Sequence, residues 1–162
     1  MSSPEHKQLI WNLIKKIKVG MLVTEDDFES IMRARPMHLV QESYDGTLYF
    51  YTSKKSAKVF EVKQDKNVCI TFSDSEEQVY VSLSGKAKLN DDKTLIDRYW
   101  NKWAEAWFPD GKDSSDVAML EIKVEEGEHW NTDENKLTQL YEVAKANVLN
   151  TTPDIGENEK FG

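Results

Sequence analysis

"QVYVSLSGKAKL", residues 78–89, alternates without a break: Val79, Val81 and Leu83 on one side, Tyr80, Ser82 and Ser84 on the other. A period of two over this length is the mark of a strand with one face buried and one face wet. Working outward, the N-terminal neighbours "NVCITFS" (67–73) and "TLYFYTS" (47–53) are rich in β-branched and aromatic residues, bounded by turn material such as "YDG" (44–46). "VGMLVT" (19–24) and "MRARPMHLV" (32–40) add two more such runs, and the three runs from 19 to 53 suggest an antiparallel meander. On the C-terminal side "VAMLEIKVEEGEHW" (117–130) supplies a long last strand. Six strand-like runs of this kind tend to close on themselves, which removes exposed edges. The expected architecture is mainly β: a six-stranded antiparallel barrel with peripheral helices.

The helices read from a different period. Leu9, Ile10, Leu13, Ile14 and Ile17 keep the three-four spacing of one helix face over 5–17. A short helix over 56–65 opens at Ser53 or Ser56, and Asp91 or Asp92 caps another. In that second helix Leu95, Ile96, Tyr99, Trp100 and Trp103 form one stripe. "WFPDGKDSSD" (107–116) reads as a loop, and 134–149 as a closing helix. Residues 1–150 are expected to form a single domain, followed by a polar tail, 151–162, that frays.

The composition is that of a globular chain: 162 residues, 39% hydrophobic, 31% charged. A formal charge of −8 argues against general attraction to nucleic acid or to an anionic membrane surface. No apolar run approaches the ~18 residues of a membrane span, and no secretory segment is visible, so a cytoplasmic location is expected. The lone Cys69, inside "NVCITF", has no disulfide partner in the chain and fits a reducing compartment. His6, His38 and His129 show no metal-ligand spacing, and no metal is expected. The acidic pairs stand at apparent turns, where they are solvated rather than catalytic. There is no P-loop, no G-x-G-x-x-G and no serine-histidine-aspartate arrangement, so no catalytic residue is named.

Charge placement carries more information. Between residues 32 and 58, Arg33, Arg35, Lys54, Lys55 and Lys58 face only Glu42 and Asp45, a local +3 in an acidic chain. Arg33 and Arg35 are two apart and share one face of their strand. "TSKKSAK" (52–58) adds the hydroxyls of Thr52 and Ser53, a helix start at Ser56 and the ammonium of Lys58, a set suited to a phosphate monoester. The plainer reading leaves the arginine heads in solvent and makes Lys54 and Lys55 an ordinary wet turn.

"RARPM" (33–37), "GTLYFYTSKKSAKVFEV" (46–62), "YVSLSGKAKL" (80–89), "WFPDG" (107–111) and "GEHW" (127–130) occur in an order that resembles the FMN-binding split barrels related to pyridoxamine phosphate oxidase. The resemblance is greatest to their bacterial general stress protein branch and covers about residues 9–145. It implies a homodimer with FMN at the subunit interface. It places Arg35, with Arg33 as a second contact, on the flavin phosphate, and the backbone at Pro36 and Met37 beside the ring. Tyr51 and Thr52 would line the flavin, and Ser53, Ser56 and Lys58 would surround the phosphate. Tyr80 and Ser82 would lie near the ring, and Trp130 would come from the other subunit. His38 could bond the ring or a substrate, and Trp107 or Phe108 could stack on it, although a structural role suits all three. The true oxidases follow their tryptophan with an Arg- and His-bearing segment, whereas Trp130 precedes "NTDENKL". Vitamin B6 oxidation is therefore not expected. The resemblance implies a flavin-dependent oxidoreductase, with reduced nicotinamide as a possible donor, or a stress protein that binds and buffers FMN without turnover.

Overall fold

The computed structural model describes residues 3–25, 29–56, 66–131, 136–153 and 156–162, with backbone alone for 136–140 and 142. Among the described residues there are seven strands: β1 (Val19–Glu25), β2 (Met32–His38), β3 (Thr47–Ser53), β4 (Lys66–Asp74), β5 (Val79–Asn90), β6 (Val117–Asn131) and β7 (Glu157–Phe161). The helices are α1 (Pro4–Ile14), α2 (Lys93–Tyr99), α3 (Lys102–Trp107) and α4 (Lys136–Leu149). The helix expected over 56–65 falls largely outside the described residues. No helix among the described residues is long and apolar enough to cross a membrane.

The sheet runs β2-β1-β4-β5-β6-β3, every pairing antiparallel, with β7 also on β6. All six strands read from the sequence are there. Their connection differs from a simple meander: β2 pairs back on β1, but β3 skips β2 and pairs along its whole length with β6. Pro36 accounts for part of this, because a residue without an N–H confines its strand to a sheet edge. β2 and β3 therefore end the order as two neighbouring edges with no shared ladder, and the barrel is split between them.

The seventh strand corrects the expected fraying of the tail. β3 covers only the 117–123 half of β6, which leaves the 127–131 half with an open edge that β7 fills. Gly127 makes this possible: a Cβ there would stand 2.6 Å from the Phe161 ring, which is buried. The sequence shows one apolar anchor in "ENEKF" and no alternation, so nothing local announces a strand.

Inside the barrel the alternation holds. Val81, Leu83 and Ala87 of β5 meet Leu22, Phe50, Ile70, Phe72, Leu120 and Ile122, and α1 inserts Ile10 and Ile14. Burial of each large apolar side chain contributes about 1.5–3 kcal/mol. A bulge between Ser84 and Gly85 keeps these residues inward, and there a Cβ would sit 2.0 Å from the carbonyl oxygen of Lys123. A second cluster, Tyr51, Ile96, Ala104, Val117 and Met119, lies beneath the paired helices α2 and α3.

The single helix expected after Asp92 is two helices. Asp92 caps α2 by accepting from the Thr94 N–H, but Trp100 is extended (ψ 131°) and Asn101 caps α3 by accepting from the Ala104 N–H. The side-chain cap competes with helix continuation. The break turns Trp103 and Trp107 away from the stripe of Ile96.

Candidate functional site

The split between β2 and β3 opens into a cleft of about 500 Å³. β2 contributes Pro36, Met37 and His38, β3 contributes Tyr51, Thr52 and Ser53, and Trp103, Trp107 and Phe108 close the side under α3. Val19 completes the wall. Tyr51 is buried with its Oη donating to the Ile96 carbonyl at 2.5 Å, and the rings of Trp100 and Phe108 stand edge-on to it. Burial first, then the Asp97 and Tyr99 charges, push its phenol well above the usual range, so it stays neutral. His38 stacks on Trp103, centroids 4.5 Å apart, and burial and then Lys18 hold its imidazole below the ordinary histidine value. Trp107 leans on Trp103 and is 68% exposed, a flat apolar surface presented to solvent at the mouth.

One end of the cleft is polar. The Thr52 and Ser56 hydroxyls lie 3.3 Å apart. The Ser53 hydroxyl donates to Asp116 Oδ2 at 2.7 Å, and the Lys55 N–H donates to Asp116 Oδ1 at 3.2 Å. Register places Arg35 opposite Leu22 and Arg33 opposite Thr24, so both guanidinium groups leave β2 from its inner face, the face of Met37. Arg35 is half-buried with Nη1 withdrawn from solvent, whereas Arg33 is exposed and bonds Glu29 at 3.2 Å. Lys54 reaches Asp91 at 2.9 Å on the surface.

Of the residues singled out from the sequence, the fold brings Pro36, Met37, Tyr51, Thr52 and Ser53 into one cleft. Ser56 joins through Thr52, and Arg35 and Arg33 continue the Met37 face beyond it. Lys58 lies outside the described residues. Tyr80, Ser82 and Trp130 are elsewhere: Tyr80 pairs with Trp130 on the outer face of β5 and β6, and the Ser82 hydroxyl lies 3.5 Å from the Cys69 sulfur. β1 and β4 separate β5 from β2, a span of about 14 Å at the usual strand spacing. These three residues therefore do not reach the cleft of their own chain. Spacing alone missed Val19, Trp103 and Asp116. Asp116 sits in an acidic loop far along the chain from Ser53, and no local signal links the two.

The outer face has a further property. Val19 and Met21 of β1 with Met32 of β2, and Tyr80 of β5 with Trp130 of β6, are each at least 36% exposed, two apolar groups with Thr71 and Ser73 of β4 between them.

A family described as pyridoxamine 5'-phosphate oxidase like matches residues 5–154. General stress protein 26 of Bacillus subtilis (strain 168) is 32% identical over 149 residues, covering 86% of this chain and 99% of that protein. Among solved structures, a general stress protein 26 from Jannaschia sp. CCS1 superposes with a TM-score of 0.77 at 28% identity, covering 98% of this chain and 99% of the other. A general stress FMN/FAD binding protein from Xanthomonas citri does so with a TM-score of 0.72 at 25% identity, covering 82% and 93%. The fold is thus shared with the two solved structures, and the chain belongs to the pyridoxamine 5'-phosphate oxidase-like family, among relatives of general stress protein 26.

Proposed function

We propose that this protein is an FMN-binding flavoprotein, a homodimer that acts as a flavin-dependent oxidoreductase rather than as a pyridoxamine phosphate oxidase. The observation that carries the reading is the two-part cleft. A flat slot lined by Pro36, Met37, Tyr51 and the Trp103–Trp107 pair fits an aromatic ring system. The hydroxyls of Thr52 and Ser56 suit a phosphate monoester, and Arg35, half-buried on the Met37 face beyond the cleft, is the cation proposed to meet it. The relative from Xanthomonas citri described as an FMN/FAD binding protein supports the same assignment. The flavin supplies the redox chemistry when bound; the protein's residues anchor, shield and orient it.

The exposed apolar face favours a second copy as its cover. Exposed apolar residues of this kind, aromatic ones among them, mark association surfaces. In such a dimer Tyr80, Ser82 and Trp130, remote from their own cleft, would serve the partner's.

A binding protein without turnover is the second reading, and one observation favours it. Among the described residues lining the cleft, His38 and Tyr51 are the titratable side chains, and the Tyr51 hydroxyl is committed to Ile96. Purified protein is expected to be yellow and to release FMN on denaturation, identified by mass. Mixing it anaerobically with NADH or NADPH separates the readings: bleaching of the visible flavin band within seconds supports the oxidoreductase, and an unchanged spectrum over many minutes leaves FMN binding alone. Colourless protein with no affinity for FMN rejects both.

A further inference from the structure

We infer that Asp116 is the positioning residue of the phosphate end of the cleft, and that Ser53 is its link to the turn rather than a ligand of the phosphate. The inference rests on the FMN reading above.

Three bonds run from the turn after β3 to this one residue. Ser53 Oγ donates to Oδ2 at 2.7 Å, the Lys55 N–H donates to Oδ1 at 3.2 Å, and the Lys54 N–H donates to the Asp116 carbonyl at 2.8 Å. The Lys55 N–H also reaches Ser53 Oγ at 3.2 Å, and the Ser56 N–H closes the turn on the Ser53 carbonyl at 3.1 Å. A serine hydroxyl has one proton to give. Here it goes to a carboxylate, so Ser53 has none for a phosphate. The hydrogen bond from Ser53 holds the Asp116 carboxyl below the usual carboxylate range, and near neutral pH it is charged. A negative group this close to a phosphate is a liability for anion binding. Its geometry supplies the offset: both oxygens grip the turn, which sets the Ser56 hydroxyl beside that of Thr52 before any ligand arrives.

The position in the chain matters as well. The loop 108–116 begins at the cleft's Phe108, directly after Trp107 ends α3, and ends at Asp116. The clamp therefore ties the aromatic wall to the phosphate end.

The test compares FMN with riboflavin, which has the same ring and no phosphate, by quenching of flavin fluorescence in cofactor-stripped protein. Asp116→Ala is expected to raise the Kd for FMN about tenfold while leaving that for riboflavin within about twofold. Asp116→Asn, whose single amide oxygen keeps only one of the two side-chain bonds, is expected to restore part of the loss. Ser53→Ala should match Asp116→Ala, and the double variant should be no worse than either single one. Equal weakening of both flavins, or full affinity for FMN in a folded Asp116→Ala, overturns the inference while the FMN reading stands. Should Asp116→Ala not fold, Asp116→Asn and Ser53→Ala decide alone: additive losses overturn it, non-additive ones uphold it. Wild-type protein that binds neither flavin overturns the inference and the functional reading together.

Discussion

Arg35 and Lys54 are both cations of the same basic segment, yet their surroundings assign them different weights. Arg35 leaves the inner face of β2 with a buried nitrogen, so its charge acts through a medium poorer in water than the surface. Lys54 pairs with Asp91, an exposed carboxylate lowered by that hydrogen bond, and such surface pairs add little because water screens them. Arg35→Ala is expected to weaken FMN by about 1.5–3 kcal/mol and Lys54→Ala by less than about 1, measured by fluorescence titration. His38 offers a second check at this scale. Burial and the Lys18 cation both disfavour its charged form. Lys18→Ala should therefore raise the His38 pKa toward, but not past, the ordinary histidine value, as followed by NMR of the imidazole. A downward or absent shift contradicts the electrostatic account. Neither residue's environment was readable locally, because strand spacing gives the face of a side chain and not what stands opposite it.

The strand that the sequence concealed, β7, is held by chemistry as well as by its ladder. Glu159 accepts from His6 Nε2 of α1 at 3.2 Å, and His129 Nε2 of β6 lies 3.5 Å from its other oxygen, an electrostatic contact rather than a well-formed hydrogen bond. The Phe161 ring stacks on His6 at 5.6 Å. These partners, His6 first and then His129, hold the Glu159 carboxyl below the usual glutamate value. A carboxylate depressed in the folded state adds stability above its unfolded pKa, and that stability is lost as pH falls through the folded value. Wild-type protein should accordingly lose more stability than Glu159→Gln between pH 6 and pH 3, read as the shift of the urea midpoint. Parallel curves for the two proteins would dismiss the clasp. The split of the helix at Trp100 belongs to this scale too: the apolar stripe was legible, but the competing Asn101 cap decided where it broke.

At the scale of the molecule, the dimer proposed above would form through the outer face of the sheet. Met21 is 40% exposed on the outer face and is not itself a cleft-lining residue, although it stands opposite Pro36 in the β1–β2 ladder. A carboxylate there would have to be desolvated in a dimer at a cost of several kcal/mol and would sit comfortably in a monomer. Met21→Asp is expected to convert a species of twice the chain mass into one of single mass by light scattering, with FMN affinity falling in parallel. A monomeric wild-type protein, or a dimer that survives Met21→Asp, would place the association surface elsewhere. In the proposed dimer Tyr80, Ser82 and Trp130 would reach a flavin through the second copy.

Period-two alternation and β-branched runs are local, and they determined the six strands because burial of one face repeats every second residue wherever the strand ends up; the family resemblance rested on the ordered motifs from "RARPM" to "GEHW". The charge of the 33–58 segment was equally local. Tertiary structure alone decided which edges stayed unpaired, that the tail's Phe161 would find the gap above Gly127, that Trp103 and His38 would stack, and that Asp116 would grip a turn 60-odd residues earlier in the chain. Those outcomes depend on contacts between segments distant in sequence. Their energies exist only once the sheet has closed, and no pattern within a single stretch of residues encodes them.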